Sequence, residues 1–104
     1  MTHWIDVAAE GSLVPNEPLH IEQDGQTIAI FLVDGEIFAI EDICSHDRSP
    51  ISEGCIEDGK IICPRHGARF CLRTGQALSA PAYEDIECFP VRTESGRLWL
   101  GLPD

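Results

Sequence analysis

Two Cys-His pairs constrain this 104-residue chain more than any other feature. The first is C-S-H at residues 44–46, the second is C-P-R-H at residues 63–66, and sixteen residues separate them. Each pair offers one thiolate and one imidazole, so the ligands can divide by chemical type, with both cysteines on one iron and both histidines on another. Such a set holds a two-iron, two-sulfide cluster in which histidine replaces two of four cysteines. The pattern therefore predicts one [2Fe-2S] cluster bound by Cys44, His46, Cys63 and His66.

Zinc is the alternative metal, because it also binds two cysteines and two histidines. Its familiar spacing separates the ligand types, with Cys beside Cys in one knuckle and His beside His on a helix. Here each pair mixes the two types, and nothing after Cys63 has a helical pattern. The spacing favours the iron-sulfur cluster and leaves a structural zinc module as the open alternative.

The length and composition indicate a single domain over residues 1–104. A chain of this size buries about two-thirds of its unfolded surface, which is enough for one core. No apolar run approaches the roughly 20 residues that cross a bilayer, and the first residues lack the pattern of a secretory signal. We therefore expect a cytoplasmic protein with reduced cysteines. The three cysteines outside the pairs are expected to be core or half-buried thiols, namely Cys55, Cys71 and Cys88.

The charge of the chain narrows the choice of partner. Eighteen acidic side chains against seven basic ones give a formal net charge of −11. Nucleic acid and anionic membranes are therefore poor partners. A protein with a basic docking patch is a better one, because opposite charges speed the encounter. Solubility alone is the competing explanation for the acidity.

Turn signals at short intervals predict an all-β fold of antiparallel hairpins with minimal helix. Thr27–Val33 is apolar on both faces, as expected of a central strand, and 36–40 should pair with it. Strands at 86–92 and 97–102 should form a further hairpin. Both Cys-His pairs then lie in loops that flank one hairpin. The turn signals are Asp24-Gly25, Asp34-Gly35, Asp58-Gly59, Thr74-Gly75 and Ser95-Gly96.

The chain resembles the Rieske family over essentially its whole length, and most closely the small Rieske ferredoxins of bacterial aromatic-ring dioxygenases. The resemblance rests on both Cys-His pairs and on the positions that follow them. It implies a Rieske-like antiparallel β-sandwich in which a cluster-binding subdomain, at about 41–81, is inserted into a β base domain. It also implies that the two cysteines bind the inner iron and the two histidines the outer iron, near the surface. The positions that follow are Gly67, Phe70, Thr74-Gly75 and Pro81.

Departures from the high-potential members of this family predict a low reduction potential. Respiratory-complex members join the two loops by a disulfide, where this chain has Ser49 and Arg65. They also have a serine and a tyrosine that donate to cluster or ligand sulfur, where this chain has Ala68 and Phe70. Such hydrogen bonds favour the reduced state, so their absence lowers the potential. We expect a value of about −150 mV, the low end of the Rieske range.

The function implied by the resemblance is one-electron transfer, with no catalytic residue in this chain. The carrier would take electrons from a flavoprotein NAD(P)H reductase and pass them to the terminal Rieske oxygenase of an aromatic-hydrocarbon dioxygenase system. A monomer with small, transient, acid-rimmed interfaces suits this role. The alternative from the same fold is a Rieske-like small subunit of a nitrite reductase or another redox complex.

Overall fold

Tight two-residue turns organise the chain. The computed structural model describes residues 2–23, 25–44, 49–65, 67–80, 82 and 84–103. At Asp34-Gly35, Asp58-Gly59 and Ser95-Gly96, both residues have positive φ, between 50° and 80°. This is the type I′ geometry whose twist matches two antiparallel strands, and Asp-Gly favours it. These three turn signals are therefore confirmed as hairpins.

The described residues form ten strands, one 3-10 turn at Glu10–Ser12, and no α-helix. The predicted all-β class is confirmed. No helix in this part of the chain is long and apolar enough to span a membrane. The strands are β1 (Thr2–Ala9), β2 (Leu19–Gln23), β3 (Gln26–Val33), β4 (Glu36–Glu41), β5 (Cys55–Glu57), β6 (Lys60–Ile62), β7 (Arg69–Cys71), β8 (Cys88–Phe89), β9 (Val91–Glu94) and β10 (Arg97–Pro103).

Three antiparallel sheets arise from these strands. Their strand orders are β1-β10-β9, β2-β3-β4-β8 and β5-β6-β7. The first two sheets pack over one core, which contains Ile28 and Ile30 of β3 and Leu98 and Leu100 of β10. The third sheet lies within the stretch predicted as the cluster-binding subdomain.

Strand β3 is the central strand that the sequence predicted. Ile28 and Ile30 belong to the core shared with the β1-β10-β9 sheet. Ala29 and Phe31, on the opposite face, belong to a second core that also contains Cys44 and Cys63. These four of the eight residues of β3 are fully buried. One face of β3 therefore packs against the β1-β10-β9 sheet, and the other packs against the core that contains the two cysteines.

The single strand predicted over 86–92 is wrong, because Pro90 divides it. Before Pro90, strand β8 pairs with β4, whereas after it β9 pairs with β10. Proline has no N–H to donate to a ladder, so it suits a point where the chain leaves one sheet for another. Its carbonyl instead accepts a hydrogen bond from the Gly101 N–H, at 2.8 Å. Only the Val91–Glu94 part forms the expected hairpin with β10.

Candidate metal centre

Two loops bring the predicted cysteine ligands into one buried region. Cys44 lies three residues after β4 ends, and Cys63 follows β6 directly. Their exposed fractions are 0% and 1%, and both belong to the core that also contains Ala29 and Phe31. His46 and His66 lie outside the described residues. The structure thus brings together the two thiols of the predicted set, each at the start of its loop.

A buried carboxylate closes the first loop. Asp42, whose side chain is only 4% exposed, accepts the backbone N–H groups of Ile51 at 2.9 Å and of Ser52 at 2.8 Å. The Ser52 hydroxyl also donates to it, at 2.9 Å. Inside this closure, the Cys44 N–H donates to the Ser49 carbonyl at 2.7 Å. These hydrogen bonds join Asp42, just before Cys44, to residues 51 and 52 at the far end of the loop. They also satisfy the carboxylate, which is why this charged group can be buried.

A histidine from the base joins this carboxylate. His20 of β2 has its Nε2 atom 2.9 Å from the Ser52 hydroxyl and 3.5 Å from Asp42 Oδ2. No motif in the sequence marks His20, Asp42 or Ser52 as part of the site. No local pattern could have found this contact, because 32 residues separate His20 from Ser52.

Backbone hydrogen bonds close the second loop. The Cys63 N–H donates to the Ala68 carbonyl at 2.7 Å, and the Gly67 N–H donates to the Cys63 carbonyl at 3.0 Å. Gly67 has a φ of 74°, which glycine adopts without the strain that a Cβ brings. The loop thus reverses direction within six residues. Ala68 and Phe70, the positions used to predict a low potential, are both fully buried in the core that contains the two cysteines.

A third segment, after β7, folds back along that strand, with the Leu78 N–H donating to the Arg69 carbonyl at 2.7 Å. Gly75 has a φ of 79°, its N–H donates to the Cys71 carbonyl at 2.7 Å, and its own carbonyl accepts the Ile86 N–H at 2.9 Å. A Cβ at Gly75 would overlap the Ile86 carbonyl oxygen. Position 75 of this turn therefore accepts only glycine. Pro81, one of the positions on which the resemblance rests, lies outside the described residues.

The three other cysteines divide by burial. Cys71 and Cys88 are half-buried, as expected, but Cys55 is exposed, so that expectation was wrong for Cys55. Its place on β5, opposite Ile62, puts it on the outward face of the third sheet. Burial raises the pKa of the Cys71 thiol, but hydrogen bonds from Thr74 and Arg73, together with the charge of Arg73, leave this pKa below its ordinary value.

The chemistry of the described donors suits an iron-sulfur cluster. Thiolates are the soft ligands that such clusters take, and shelter from water is one of the levers that sets their potential. Two cysteines from separate loops enter the same core, and both loops are fixed by short hydrogen bonds. The residues present therefore fit the group that the sequence predicts.

Comparisons with known proteins agree with this centre. The model of the Rieske [2Fe-2S] domain matches residues 3–90. A ferredoxin component of naphthalene 1,2-dioxygenase/salicylate 5-hydroxylase systems from Ralstonia sp. is 36% identical over 94% of this chain and 94% of its own length. A ferredoxin subunit of 3-phenylpropionate/cinnamic acid dioxygenase from Shigella flexneri is 46% identical over 74% of each chain.

Solved structures include a comparable fold. A chain from a complex of reduced oxygenase and oxidized ferredoxin, in carbazole 1,9a-dioxygenase, superposes with a TM-score of 0.85. The match is 28% identical and covers 93% of this chain and 91% of that one. The predicted fold family and the predicted single [2Fe-2S] cluster are thereby confirmed, and the zinc alternative falls. With a family model that spans most of its length and relatives above 30% identity, this chain belongs to the Rieske [2Fe-2S] domain family.

Proposed function

We propose that this chain is the electron carrier of a bacterial aromatic-ring dioxygenase system. It receives single electrons from a flavoprotein NAD(P)H reductase and delivers them to a terminal Rieske oxygenase. The observation that carries the proposal is the pair of buried cysteines, Cys44 and Cys63, which enter one core from two loops in a chain of this family. Both curated relatives are ferredoxin components of such systems, which favours the carrier over a nitrite reductase subunit.

The ligand set is part of this proposal. Cys44 and Cys63 hold the inner iron, and their burial supports this role because it keeps the thiolates away from water. His46 and His66 hold the outer iron, as the spacing of the two motifs predicts. When bound, the cluster supplies reversible one-electron chemistry. The chain's own residues hold it, exclude water from its cysteine side and leave bond-making to the oxygenase.

The position of the potential within the Rieske range follows from two buried side chains. Ala68 and Phe70 lie in the core that contains both cysteines, and neither side chain can donate a hydrogen bond. Donors to cluster sulfur stabilise the additional negative charge of the reduced state. A carrier that lacks these two donors is proposed to have a reduction potential of about −150 mV.

The domain organisation and cellular setting complete the proposal. Residues 1–104 form one Rieske domain whose cluster-binding subdomain spans about 41–81, a range that contains the whole β5-β6-β7 sheet. The protein works as a monomer in the cytoplasm. A shuttle of this kind needs brief complexes with two partners in turn, which small interfaces provide.

The test is a potentiometric titration of the purified protein, followed by electron paramagnetic resonance at two pH values on either side of neutrality. We expect a Rieske-type signal with a midpoint near −150 mV that moves little with pH. A clearly positive midpoint would keep the cluster but reject the oxygenase carrier. A colourless protein that binds zinc would reject the iron-sulfur cluster, because two cysteines and two histidines can also hold zinc.

A further inference from the structure

Asp42 differs from the other acidic residues of the described part of the chain in its shelter from water. Its side chain is 4% exposed, whereas Glu41 is half-buried and every other acidic residue that the structure describes is exposed. A charge removed from water is screened far less than a charge at the surface, so its field reaches further. Among the described acidic residues, Asp42 is therefore the one whose charge acts most strongly on the interior.

The hydrogen bonds of Asp42 favour a charged group that keeps its charge. Oδ1 accepts the backbone N–H groups of Ile51 and Ser52, and Oδ2 accepts the Ser52 hydroxyl. Three donors that converge on one carboxyl group stabilise its ionised form. All three donors are neutral, so they replace the lost water without cancelling the negative charge.

The carboxylate is close to the proposed ligand Cys44. Two residues of extended chain span at most about 7 Å between Cα atoms, so Asp42 and Cys44 are neighbours in space as well as in the chain. Ile43, between them, packs against the core that contains Cys44 and Cys63. Ile51, whose N–H donates to the carboxylate, is itself a member of that core. The buried charge therefore lies beside the apolar region that both thiols enter.

The described residues place one basic side chain at ion-pair distance from Asp42. His20 Nε2 is 3.5 Å from Oδ2, and half of the His20 side chain is exposed to water. An ion-pair partner at the surface is screened and offsets only part of a buried charge. Even a protonated His20 would therefore leave part of the negative charge of Asp42 unbalanced on the side that faces the core.

We propose that the buried charge of Asp42 lowers the reduction potential of the cluster, so that this residue tunes electron transfer in addition to closing the first loop. The inference rests on the proposed function, because it needs the cluster that Cys44 and Cys63 hold. The electron that the reductase supplies adds one negative charge to the cluster, and a fixed negative charge nearby makes that step less favourable. This contribution comes from a group that is present, whereas the one argued for residues 68 and 70 comes from donors that are missing.

The test removes the charge of Asp42 and keeps the shape of its side chain. In Asp42→Asn, the amide oxygen can accept the two N–H groups that Oδ1 accepts, and the amide N–H can donate to the Ser52 oxygen. The Ser52 hydroxyl then donates to His20 Nε2, which is 2.9 Å away. Asp85→Asn is the matched control, because Asp85 is exposed and also accepts a backbone N–H, from Ala77 at 2.8 Å. Ser52→Ala removes one hydrogen bond from the carboxylate but no charge.

Potentiometric titration followed by electron paramagnetic resonance, near neutral pH and at low salt, gives the midpoint potential of each loaded variant. At a fixed ambient potential, we expect the ratio of reduced to oxidised Asp42→Asn to be about fivefold that of the wild type, a rise of about 40 mV at about 59 mV per tenfold for one electron. Asp85→Asn should stay within about twofold of the wild type, because water and salt screen its charge. Ser52→Ala should lose stability in urea unfolding but show no rise in potential.

Two results would overturn the proposal. One is an unchanged or lower ratio in Asp42→Asn with an unchanged paramagnetic line shape. The other is an equal rise in Ser52→Ala, because loosening of the loop would then explain both shifts. If Asp42→Asn loses its cluster or alters the line shape, His20→Arg decides, since it leaves the carboxylate in place and sets a permanent cation beside it. Its potential should rise by more than that of Asp85→Asn, which changes the net charge by the same amount, and a smaller rise would also overturn the proposal.

The wild-type protein separates failure of this inference from failure of the proposed function. A wild type with a Rieske signal at low potential, which neither Asp42→Asn nor His20→Arg raises, rejects only the tuning role of Asp42. A wild type with no Rieske signal, or with a clearly positive midpoint, rejects the carrier function and the inference with it.

Discussion

The two cysteine-bearing loops are closed by different means. The first, between Asp42 and Ser52, depends on one buried carboxylate and on a histidine contributed by a distant strand. The second, between Cys63 and Ala68, is closed by its own backbone and one glycine at positive φ. The second loop can therefore take its shape locally, whereas the first depends on the base domain.

The comparison also explains why both loops converge on one core. Each places its cysteine near its N-terminal end, three residues after β4 for Cys44 and directly after β6 for Cys63. Main-chain hydrogen bonds in the sheets fix these starting points before either loop begins. The side chains of Ile51 from the first loop and Ala68 from the second are fully buried in the same core as the cysteines. The loops thus differ in closure but share their anchoring.

The largest effect is expected from replacing the cysteines, which are the feature that the two loops share. Cys44→Ser and Cys63→Ser should each reduce cluster content from two irons per chain to nearly none, because a serine hydroxyl does not replace a thiolate for this metal. Iron analysis and the Rieske paramagnetic signal measure this loss. Cys55→Ser and Cys88→Ser are the matched controls and should keep both irons. Equal iron content in Cys63→Ser and Cys55→Ser would remove Cys63 from the ligand set.

The next largest effect is on the free energy of unfolding, and it should differ between Gly54 and Gly67. A Cβ at Gly54, which follows the first loop, would overlap the Ile62 carbonyl oxygen of β6, so Gly54→Ala must displace backbone. We expect a loss of about 4 kcal/mol, in the range that marks severe steric conflict. Gly67→Ala meets no atom within 4 Å and has only its positive φ to overcome, at about 1 to 2 kcal/mol. Urea unfolding followed by circular dichroism compares the two variants, and an equal loss would contradict this ranking.

The carboxylate of the first loop offers a direct test of the difference in closure. Asp42→Ala leaves the N–H groups of Ile51 and Ser52 without their acceptor, and we expect a loss of about 3 kcal/mol. His20→Gln should cost less than about 1 kcal/mol, because the His20 side chain is 50% exposed. The same urea unfolding, with cluster content measured in each sample, checks both values. If His20→Gln were as harmful as Asp42→Ala, the base domain would contribute more to this loop than the hydrogen bonds suggest.

The contrast between short-range and long-range closure of the loops also separates what could be predicted from the sequence and what could not. The type I′ turns follow from local chemistry, since Asp-Gly and Ser-Gly pairs accept positive φ at both positions. The two faces of β3 follow from its apolar run, which predicts a strand covered on both sides. The second loop, with its glycine after the C-P-R-H motif, is similarly local. For these parts of the molecule, short-range chemistry is sufficient.

Longer-range features could not be predicted in this way. The contact between His20 and Ser52 depends on how β2 lies against the first loop, and no spacing in the sequence encodes that. The break at Pro90 was visible as a proline, but the sheet that each side would join depended on the tertiary fold. The outward direction of Cys55 depended on the register of a three-residue strand, where a shift of one position reverses the face.

The smallest effect is expected from a change in the second loop that leaves the backbone intact and adds one hydrogen-bond donor near the cluster. Ala68→Ser adds a hydroxyl inside the core that contains both cysteines. A buried hydroxyl needs an acceptor, and a cluster sulfide becomes a better acceptor on reduction, so we expect the potential to rise by about 40 mV, equivalent to about 1 kcal/mol for one electron. Ala80→Ser, at an exposed position of the third segment, is the control and should leave the potential unchanged. An unchanged potential in Ala68→Ser, with stability lowered by about 1 to 3 kcal/mol, would mean that the hydroxyl finds no acceptor there. The missing donor at residue 68 would then not explain a low potential.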